Sequence, residues 1–208
     1  AKKLRKKGLM QQLLTGKIRF DGFDGEWSRG KLSDFVSVDK ESLKTSTDDD
    51  YKFYYISLSD ISNGRIVKPG LETSFSESPS RARKIIRNGD VLLSTVRPNL
   101  KAFARIDEDV KDIIVSTGFA VLRPSKKITS SFLFHYILGD HITRQIETMV
   151  VGSNYPAINS TEVKALHVNL PSVAEQKKIA STLDASAEEV RILEKKKVVL
   201  LNQKKGLM

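Results

Sequence analysis

The chain has 208 residues, no cysteine, and 35 Lys and Arg against 25 Asp and Glu, which gives a formal net charge of +10. This length suits one large domain, or a domain with an appendage, and the lack of cysteine excludes disulfides and thiolate metal sites and is compatible with the cytoplasm. No apolar run approaches the roughly 18 residues of a membrane span, and no signal peptide is predicted, because the basic start runs into an amphipathic stretch.

The positive charge is concentrated in two segments. Residues 1–20 contain seven Lys and Arg and no acid, and residues 81–105 contain seven against the single acid Asp90. The acidic residues are densest elsewhere, at residues 48–50. Clustering of this kind favours binding to a polyanion such as nucleic acid, and the alternative is a basic surface that is merely solvated.

The first predicted element is a helix over residues 2–14, which Thr15-Gly16 should end. A turn or linker follows at residues 21–25, where the sequence reads Asp-Gly-Phe-Asp-Gly. From residue 26 to residue 170, short apolar runs alternate with turns, a pattern typical of a mixed α/β domain. We expect strands at 51–58, 90–96, 100–106, 113–122 and 166–170, and helices at 131–138 and 141–150.

A long helix is predicted from residue 172 to residue 208. Ser172 and Glu175 match a capping box at its start, and the segment contains no proline. Roughly 36 helical residues span about 54 Å, which is longer than a domain of this size needs. Six of nine seam positions that alternate three and four apart are apolar, as in a coiled coil, with polar defects at Ser186, Lys197 and Lys204. Much of the seam should therefore find a partner outside the domain. The seam residues are Ile179, Leu183, Val190, Leu193, Leu200 and Leu207.

The sequence Lys-Lys-Gly-Leu-Met occurs twice, at residues 6–10 and 204–208. Overlaying the two copies extends the seam to Leu9 and Leu13. Residues 1–16 are therefore predicted to be the end of a helix like the one that residues 171–208 begin, with a globular domain at 17–170 between them. The repeat suggests two tandem domains in a parent protein, or a half-length chain that pairs antiparallel with itself, and a start at Ala1 fits a cut fragment.

Several motifs carry a resemblance to a known family. Residues 152–159, Gly-Ser-Asn-Tyr-Pro-Ala-Ile-Asn, are followed by Val-Asn-Leu-Pro at 168–171 and Glu-Gln-Lys-Lys-Ile-Ala at 175–180. Together with residues 89–94 and 8–17, they resemble the specificity subunits of type I restriction–modification systems. The resemblance implies target recognition domains joined by conserved helices in a pseudo-twofold arrangement, working with methyltransferase and restriction subunits. This chain resembles one half, a single recognition domain with its helix.

No motif for catalysis is found. The chain lacks the Asn-Pro-Pro-aromatic and Asp-Pro-Pro-Tyr stretches of amino-methyl transfer, a Gly-rich cofactor loop and a phosphate-binding loop. Residues 194–196 match the Glu-x-Lys of a nuclease core, but they lie inside the predicted helix, where that core needs a strand. His135, His141 and His167 lack metal-ligand spacing and are expected to pack or to lie at the surface. We therefore expect a non-catalytic protein with no cofactor and no metal, whose partners supply any chemistry.

Three segments carry side chains suited to DNA. The turn at residues 94–101 presents groups that can read base edges, with a plain surface hairpin as an equal alternative. The basic stretch at residues 78–84 is predicted to be a loop that contacts phosphates. The loop at residues 152–155 carries Asn154 and Tyr155, which are suited to contact DNA, but a structural turn is the favoured interpretation there. The candidate DNA-contacting residues are Ser94, Thr95, Arg97, Asn99 and Lys101 in the turn, Arg81, Arg83 and Lys84 in the basic stretch, and Asn154 and Tyr155 in the loop.

These observations lead to one main hypothesis about function. The chain is expected to be a sequence-specific module for double-stranded DNA that forms a homodimer through its helices, reads a split palindromic site and guides methyltransferase and restriction subunits. The alternative is a coiled-coil scaffold for assembly whose basic patches are incidental. A stand-alone nuclease is disfavoured because the sequence shows no site for it.

Overall fold

The structure, a computed structural model, describes residues 2–67, 70–108, 110–150 and 156–206, with side chains up to residue 203. Helix α1 spans Lys2–Leu14, as the sequence predicts. The chain turns at Gly16, whose φ of 70° is a left-handed conformation suited to glycine after a helix. The Trp27 ring lies against this glycine, 3.2 Å from the position that a Cβ atom would take.

Short strands account for most of the regular structure between the two ends of the chain. They are β1 (Ser28–Lys31), β2 (Val36–Val38), β3 (Lys52–Ile56), β4 (Ile61–Ser62), β5 (Arg65–Ile66), β6 (Leu71–Ser74), β7 (Ala82–Ile85), β8 (Val91–Ser94), β9 (Ala104–Arg105), β10 (Ile113–Ser116), β11 (Phe119–Pro124) and β12 (His167–Leu170). The helices that follow α1 are α2 (Ser130–Leu138), α3 (Asp140–Met149), α4 (Ser160–Ala165) and α5 (Val173–Gly206).

Two four-stranded sheets form the body of the domain. The first has the order β6-β3-β10-β7, with β10 parallel to β3 and antiparallel to β7. The second has the order β2-β11-β8-β9, and all of its neighbouring strands are antiparallel. An antiparallel pair of β1 and β12 joins the start of the domain to its end, and β4 pairs with β5. The predicted α/β fold with a mixed sheet is therefore confirmed.

The strand predicted at residues 100–106 is wrong for most of its length. A short 3-10 helix occupies Pro98–Leu100, and only Ala104–Arg105 pairs as a strand. The residues at the two ends of the 3-10 helix, Arg97 and Lys101, have φ angles of 47° and 50°. This left-handed conformation cannot continue an extended strand, so the chain turns instead.

The largest buried cluster joins both ends of the chain. Leu13 and Leu14 of α1 pack in the same cluster as Ile179 and Leu183 of α5, together with apolar residues of α2 and of the second sheet. The Ser172 hydroxyl accepts a hydrogen bond from the Glu175 amide at 3.3 Å, which supports the predicted start of the long helix. The first turns of α5 therefore belong to the core of the domain.

Helix α5 has 34 residues, which at about 1.5 Å per residue gives a length of about 51 Å. Every residue from Arg191 to Gln203 is exposed, so this part, which we call the projecting segment, extends away from the domain. None of the described helices is long and apolar enough to cross a membrane.

Helix α1 packs antiparallel against α5. Its first turn forms ion pairs with the middle of α5, Lys2 with Glu189 and Lys3 with Glu194, each at 2.6 Å, while its last turn is buried beside the start of α5. The sequence predicts that much of the seam of the long helix finds a partner outside the domain. That expectation is wrong for the first half of the seam, because α1 returns along it.

Candidate nucleic-acid interface

The segment from Thr95 to Arg97 is held between two other parts of the domain. Thr95 donates hydrogen bonds from its amide and its hydroxyl to the Gly118 carbonyl, at 2.8 and 2.9 Å. The Ile158 amide donates to the Thr95 carbonyl at 2.9 Å, and the Arg97 amide donates to the Pro156 carbonyl at 2.8 Å. These bonds fix the turn that follows relative to the rest of the domain.

The turn itself has a backbone conformation that few residues other than glycine adopt. Arg97 and Lys101 are both left-handed. Pro98 is buried between them, whereas Arg97, Asn99 and Leu100 are exposed, Leu100 to 68%. Such conformations persist only where the surroundings over-determine them, and they concentrate at functional sites. The turn therefore presents Arg97 and Asn99 from a rigid support.

A cleft of about 350 Å³ lies beside the turn. Val96, Ser57, Arg81 and Thr117 are among its lining residues. The Arg81 guanidinium donates to the Tyr55 hydroxyl at 3.0 Å, and the Arg81 carbonyl accepts from the Thr117 amide at 2.8 Å. The structure thus brings one of the predicted basic residues to the same surface as the turn.

The stretch predicted to be a basic loop forms strand β7 from Ala82 onward. Lys84 is 9% exposed, and its Nζ donates to the Asp39 carboxylate at 2.8 Å and to the Phe119 carbonyl. A buried lysine with these partners is not available to a DNA phosphate, so the prediction for Lys84 is wrong. Arg83 is half-buried, with its guanidinium carbon 4.6 Å from the centre of the Phe75 ring.

Three of the five polar residues predicted to act in the turn do not project from it. Ser94 ends β8, a strand buried on both faces, and is itself fully buried. Thr95 is 7% exposed, and its hydroxyl is engaged inside the domain. The prediction that Ser94 and Thr95 contact bases is therefore wrong. Lys101 is half-buried, and its Nζ donates to the Leu138 carbonyl at 3.3 Å.

A second cleft, of about 390 Å³, joins the turn to α1. Lys101 lines it together with Lys6 and Lys7 of α1 and His141 of α3. Burial is the main cause that lowers the pKa of Lys6, and it likewise lowers the pKa of His141, to about 4. The two basic segments that the sequence separates, at the start and in the middle of the chain, therefore meet at this cleft.

Part of the positive charge of residues 81–105 is neutralised by acidic residues of the same chain. Arg87 donates two hydrogen bonds of 2.8 Å to Glu41, and Arg123 pairs with both Glu41 and the buried Asp90. Burial opposes ionisation of Glu41, but the hydrogen bonds from these two arginines lower its pKa. The acidic residues near position 40 thus pair with basic residues that would otherwise add to the positive surface.

The three histidines have separate environments. His135 is 2% exposed, and its Nε2 lies 2.8 Å from the Asp184 carboxylate. The His141 ring packs edge-on against Tyr136, with ring centres 4.2 Å apart, and His167 is exposed. Among the described residues, no group of three or more His, Asp or Glu is placed to hold a metal ion.

The projecting segment carries large apolar side chains on all sides. Successive residues lie about 100° apart around a helix, so the run at residues 198–201 points in four directions. In the predicted seam, Leu193 is 43% and Leu200 is 64% exposed. The exposed apolar residues are Ile192, Leu193, Val198, Val199, Leu200 and Leu201.

The remaining predicted seam residues lie closer to the domain. Leu13, Ile179 and Leu183 are buried in the core of their own chain, and Leu9 and Val190 are half-buried. The three buried residues therefore cannot contact a second copy, which corrects the prediction for them. Three further residues with predicted roles, Asn154, Tyr155 and Leu207, lie outside the described residues.

Residues 24–202 match the family model described as type I restriction modification DNA specificity domain. The type I restriction enzyme HindI specificity subunit of Haemophilus influenzae is 25% identical over 141 residues, which are 66% of this chain and 30% of the relative. The type I restriction enzyme MjaVIII specificity subunit of Methanocaldococcus jannaschii is 24% identical over 128 residues, 60% of this chain and 30% of the relative. The chain thus spans about a third of these curated relatives.

Solved structures agree with these matches. A structure of a type I R-M system, described for its complex assembly and conformational transition, superposes with a TM-score of 0.77 at 32% identity. The HsdS subunit of Thermoanaerobacter tengcongensis gives 0.74, also at 32% identity. Each covers 89% of this chain, which in turn covers 48% of the matched chain. The S subunit from M. genitalium shares the fold, with a TM-score of 0.57 at 13% identity over 97% of this chain and 52% of that chain.

Proposed function

Because the chain belongs to the family of type I restriction modification DNA specificity domains, we propose that it binds double-stranded DNA and recognises a short base sequence. The main support for the location of the DNA-binding site is the rigid turn, which presents Arg97 and Asn99 at the surface beside the cleft lined by Arg81. Arginine and asparagine are side chains that form paired hydrogen bonds to guanine and adenine in the major groove.

Within this proposal the two kinds of contact are divided between two groups of residues. Arg97 and Asn99 contact base edges, because a fixed backbone is what direct readout requires. Arg81 and Arg83 contact phosphates, as does Lys101 from the second cleft. Phosphate contacts position the protein on the duplex without reading its sequence. Asn154 and Tyr155 stay candidates from the sequence alone.

We further propose that two copies of the chain pair through the projecting segments of α5. The support is the exposure of Leu193 and Leu200, two seam residues seven positions apart in the projecting segment. An antiparallel pair related by a twofold axis buries both leucines of each copy against the other. Leu207 continues the same seam in the sequence.

A twofold pair of identical recognition domains requires a symmetric target. Each domain reads the same bases on opposite strands, so the site consists of two inverted, identical half-sites around an unread spacer. Helices of about 51 Å that overlap antiparallel are consistent with domain centres one turn of DNA apart, about 34–36 Å or 10 base pairs. Half-sites of a few base pairs then leave a spacer of roughly 5–8 base pairs.

The other sides of the projecting segment suit further partners. Large apolar side chains that stay exposed away from the seam mark surfaces that partners cover, and a single antiparallel partner covers one seam only. Ile192 and Val199, seven residues apart and about a third of a turn away from the seam, then remain for another helix. We propose that methyltransferase and restriction subunits dock here and supply the chemistry, the chain itself being non-catalytic.

The rival function, a scaffold for assembly without DNA recognition, is favoured by the same exposed helix. Binding of the pure protein to a randomised duplex library, followed over a range of salt concentrations, separates the two. Recognition of DNA predicts binding whose log Kobs falls linearly with log salt, with a slope of about −0.9 for each phosphate contact. A scaffold predicts no retained duplex at physiological salt.

A further inference from the structure

Leu183 is the last fully buried residue of α5 among the described residues, so the helix leaves the buried core after it, while α1 still flanks the next turns. The next residue, Asp184, is partly exposed, and every residue from position 191 to position 203 is exposed. Asp184 therefore lies at the point where the helix emerges, where a small change in helix direction has its largest effect on the far end.

At this point the Asp184 carboxylate accepts hydrogen bonds from two elements of the domain. On α2, the Ser131 hydroxyl donates to Oδ2 at 2.6 Å, and His135 Nε2 lies 2.8 Å from Oδ1. From β9, the Arg105 guanidinium lies 3.2 and 3.3 Å from the two oxygens. Burial opposes the charge, but these bonds hold the pKa of Asp184 well below its usual range, so it is a carboxylate at neutral pH.

A second ionic contact holds the same helix nine residues earlier, at Glu175. The Glu175 side chain is 1% exposed and accepts hydrogen bonds of 2.9 and 2.7 Å from Arg19. Asp184 follows nine residues later, which is about 13 Å along the helix and about half a turn around it. Two contacts on opposite sides of a helix, separated along its axis, fix its direction. By comparison, the ion pairs between α1 and α5 are solvent-exposed and contribute little.

Because α5 is long beyond Asp184, a small change in its direction displaces its far end by a large distance. About 22 residues extend from position 184 to position 206, a length of about 33 Å. A rotation of about 10° at the emergence point moves the far end by about 6 Å, which is nearly two base-pair steps of 3.4 Å. A tolerance of one base pair in the spacer therefore requires the emergence point to be held within a few degrees.

We propose that Asp184, bound by Ser131, His135 and Arg105, is a positioning residue that sets the direction of α5 and thereby the spacer length of the DNA target. This inference rests on the proposed function, in which a pair of domains reads two half-sites. Leu183 and the other apolar contacts hold the helix to the domain, but they permit small rotations that a three-donor carboxylate does not.

The test compares the full chain with Asp184→Asn, which keeps the size of the side chain and removes its charge. Both are measured on duplexes that carry the same two half-sites with spacers that differ by single base pairs, and on a duplex with one half-site. We expect the variant to bind the single half-site within about twofold of the unmodified chain. Its preference for the best spacer over the adjacent lengths should fall about tenfold, the effect of one charge-assisted hydrogen bond.

Glu188→Gln is the matched control. It removes a carboxylate from the same helix one turn further on, where Glu188 accepts hydrogen bonds from Arg191 of α5 itself, and should leave the spacer preference unchanged. If Asp184→Asn does not fold, Ser131→Ala removes one donor and should broaden the preference in the same direction. A folded Asp184→Asn with an unchanged spacer preference overturns the inference but not the proposed function. Absence of any split-site preference in the unmodified chain overturns both.

Discussion

Replacing both seam leucines of the projecting segment, Leu193→Asp with Leu200→Asp, should convert a dimer into a monomer. In the isolated chain these side chains are 43% and 64% exposed, so roughly half of each is still available to be buried by a second copy. Burying a whole leucine side chain is worth about 1.5–3 kcal/mol, which gives about 1 kcal/mol for each of these halves. A twofold dimer buries four of them.

The dimer therefore loses about 4 kcal/mol of apolar contact, or about a thousandfold in Kd. The carboxylates add to this loss, because each would have to be desolvated inside the seam. Light scattering at micromolar concentration should give twice the chain mass of 23.3 kDa before the change and a single mass after it.

The matched control introduces two aspartates on the opposite face of the helix. Lys195→Asp with Asn202→Asp introduces aspartates with the same seven-residue spacing, about half a turn away from the seam, and at positions that are exposed. This variant should remain a dimer. A monomeric unmodified chain, or a dimer that survives the seam change, would refute the pairing.

Three further predictions concern the domain and its spacing. Arg81→Gln with Arg83→Gln should weaken binding to all duplexes alike and flatten the salt dependence by about one unit of slope per lost contact. Arg97→Ala or Asn99→Ala should instead cost about 1–3 kcal/mol of binding free energy on the preferred site and relax the base preference at one position. Identical behaviour of the two groups in a salt-dependent shift assay would show that the division into phosphate and base contacts is wrong. Burial lowers the pKa of His141 from 6.5 to about 4. As the pH falls, His141 therefore binds a proton in the unfolded chain before it does so in the folded chain, and the free energy of unfolding decreases between about pH 6.5 and 4. Urea unfolding should show about 2 kcal/mol less stability at pH 5 than at pH 7 from this group, and His141→Gln should remove that difference; an unchanged difference would contradict it. One heptad inserted into the projecting segment adds about 10 Å to the helix and should change the preferred spacer while the selected half-site sequence stays the same.

Elements defined by local patterns could be predicted from the sequence. The helices α1, α2, α3 and α5 follow from apolar spacing and from stop or capping signals close to their ends, such as Ser172 before α5. The strand at Lys52–Ile56 follows from alternation, with Phe53 buried and Tyr54 exposed on opposite faces. These signals act over a few residues, and tertiary contacts reinforced them here.

The errors came from contacts between distant residues. Lys84 looks like a surface cation in its local sequence, but its partner Asp39 lies 45 positions away. Ser94 looks like the start of an exposed turn, yet β8 is covered on both faces by elements that the sequence does not place. The return of α1 along α5 also brings together residues 187 and 191 positions apart, which no local pattern predicts.

In the proposed function, two identical recognition domains read one target together. Selection of bound duplexes from a random library by the pure protein, followed by sequencing of the bound pool, tests it most directly. We predict two identical, inverted half-sites of a few base pairs around a spacer of fixed length, roughly 5–8 base pairs, and of no fixed sequence. A single contiguous site, or two different half-sites, would contradict the account.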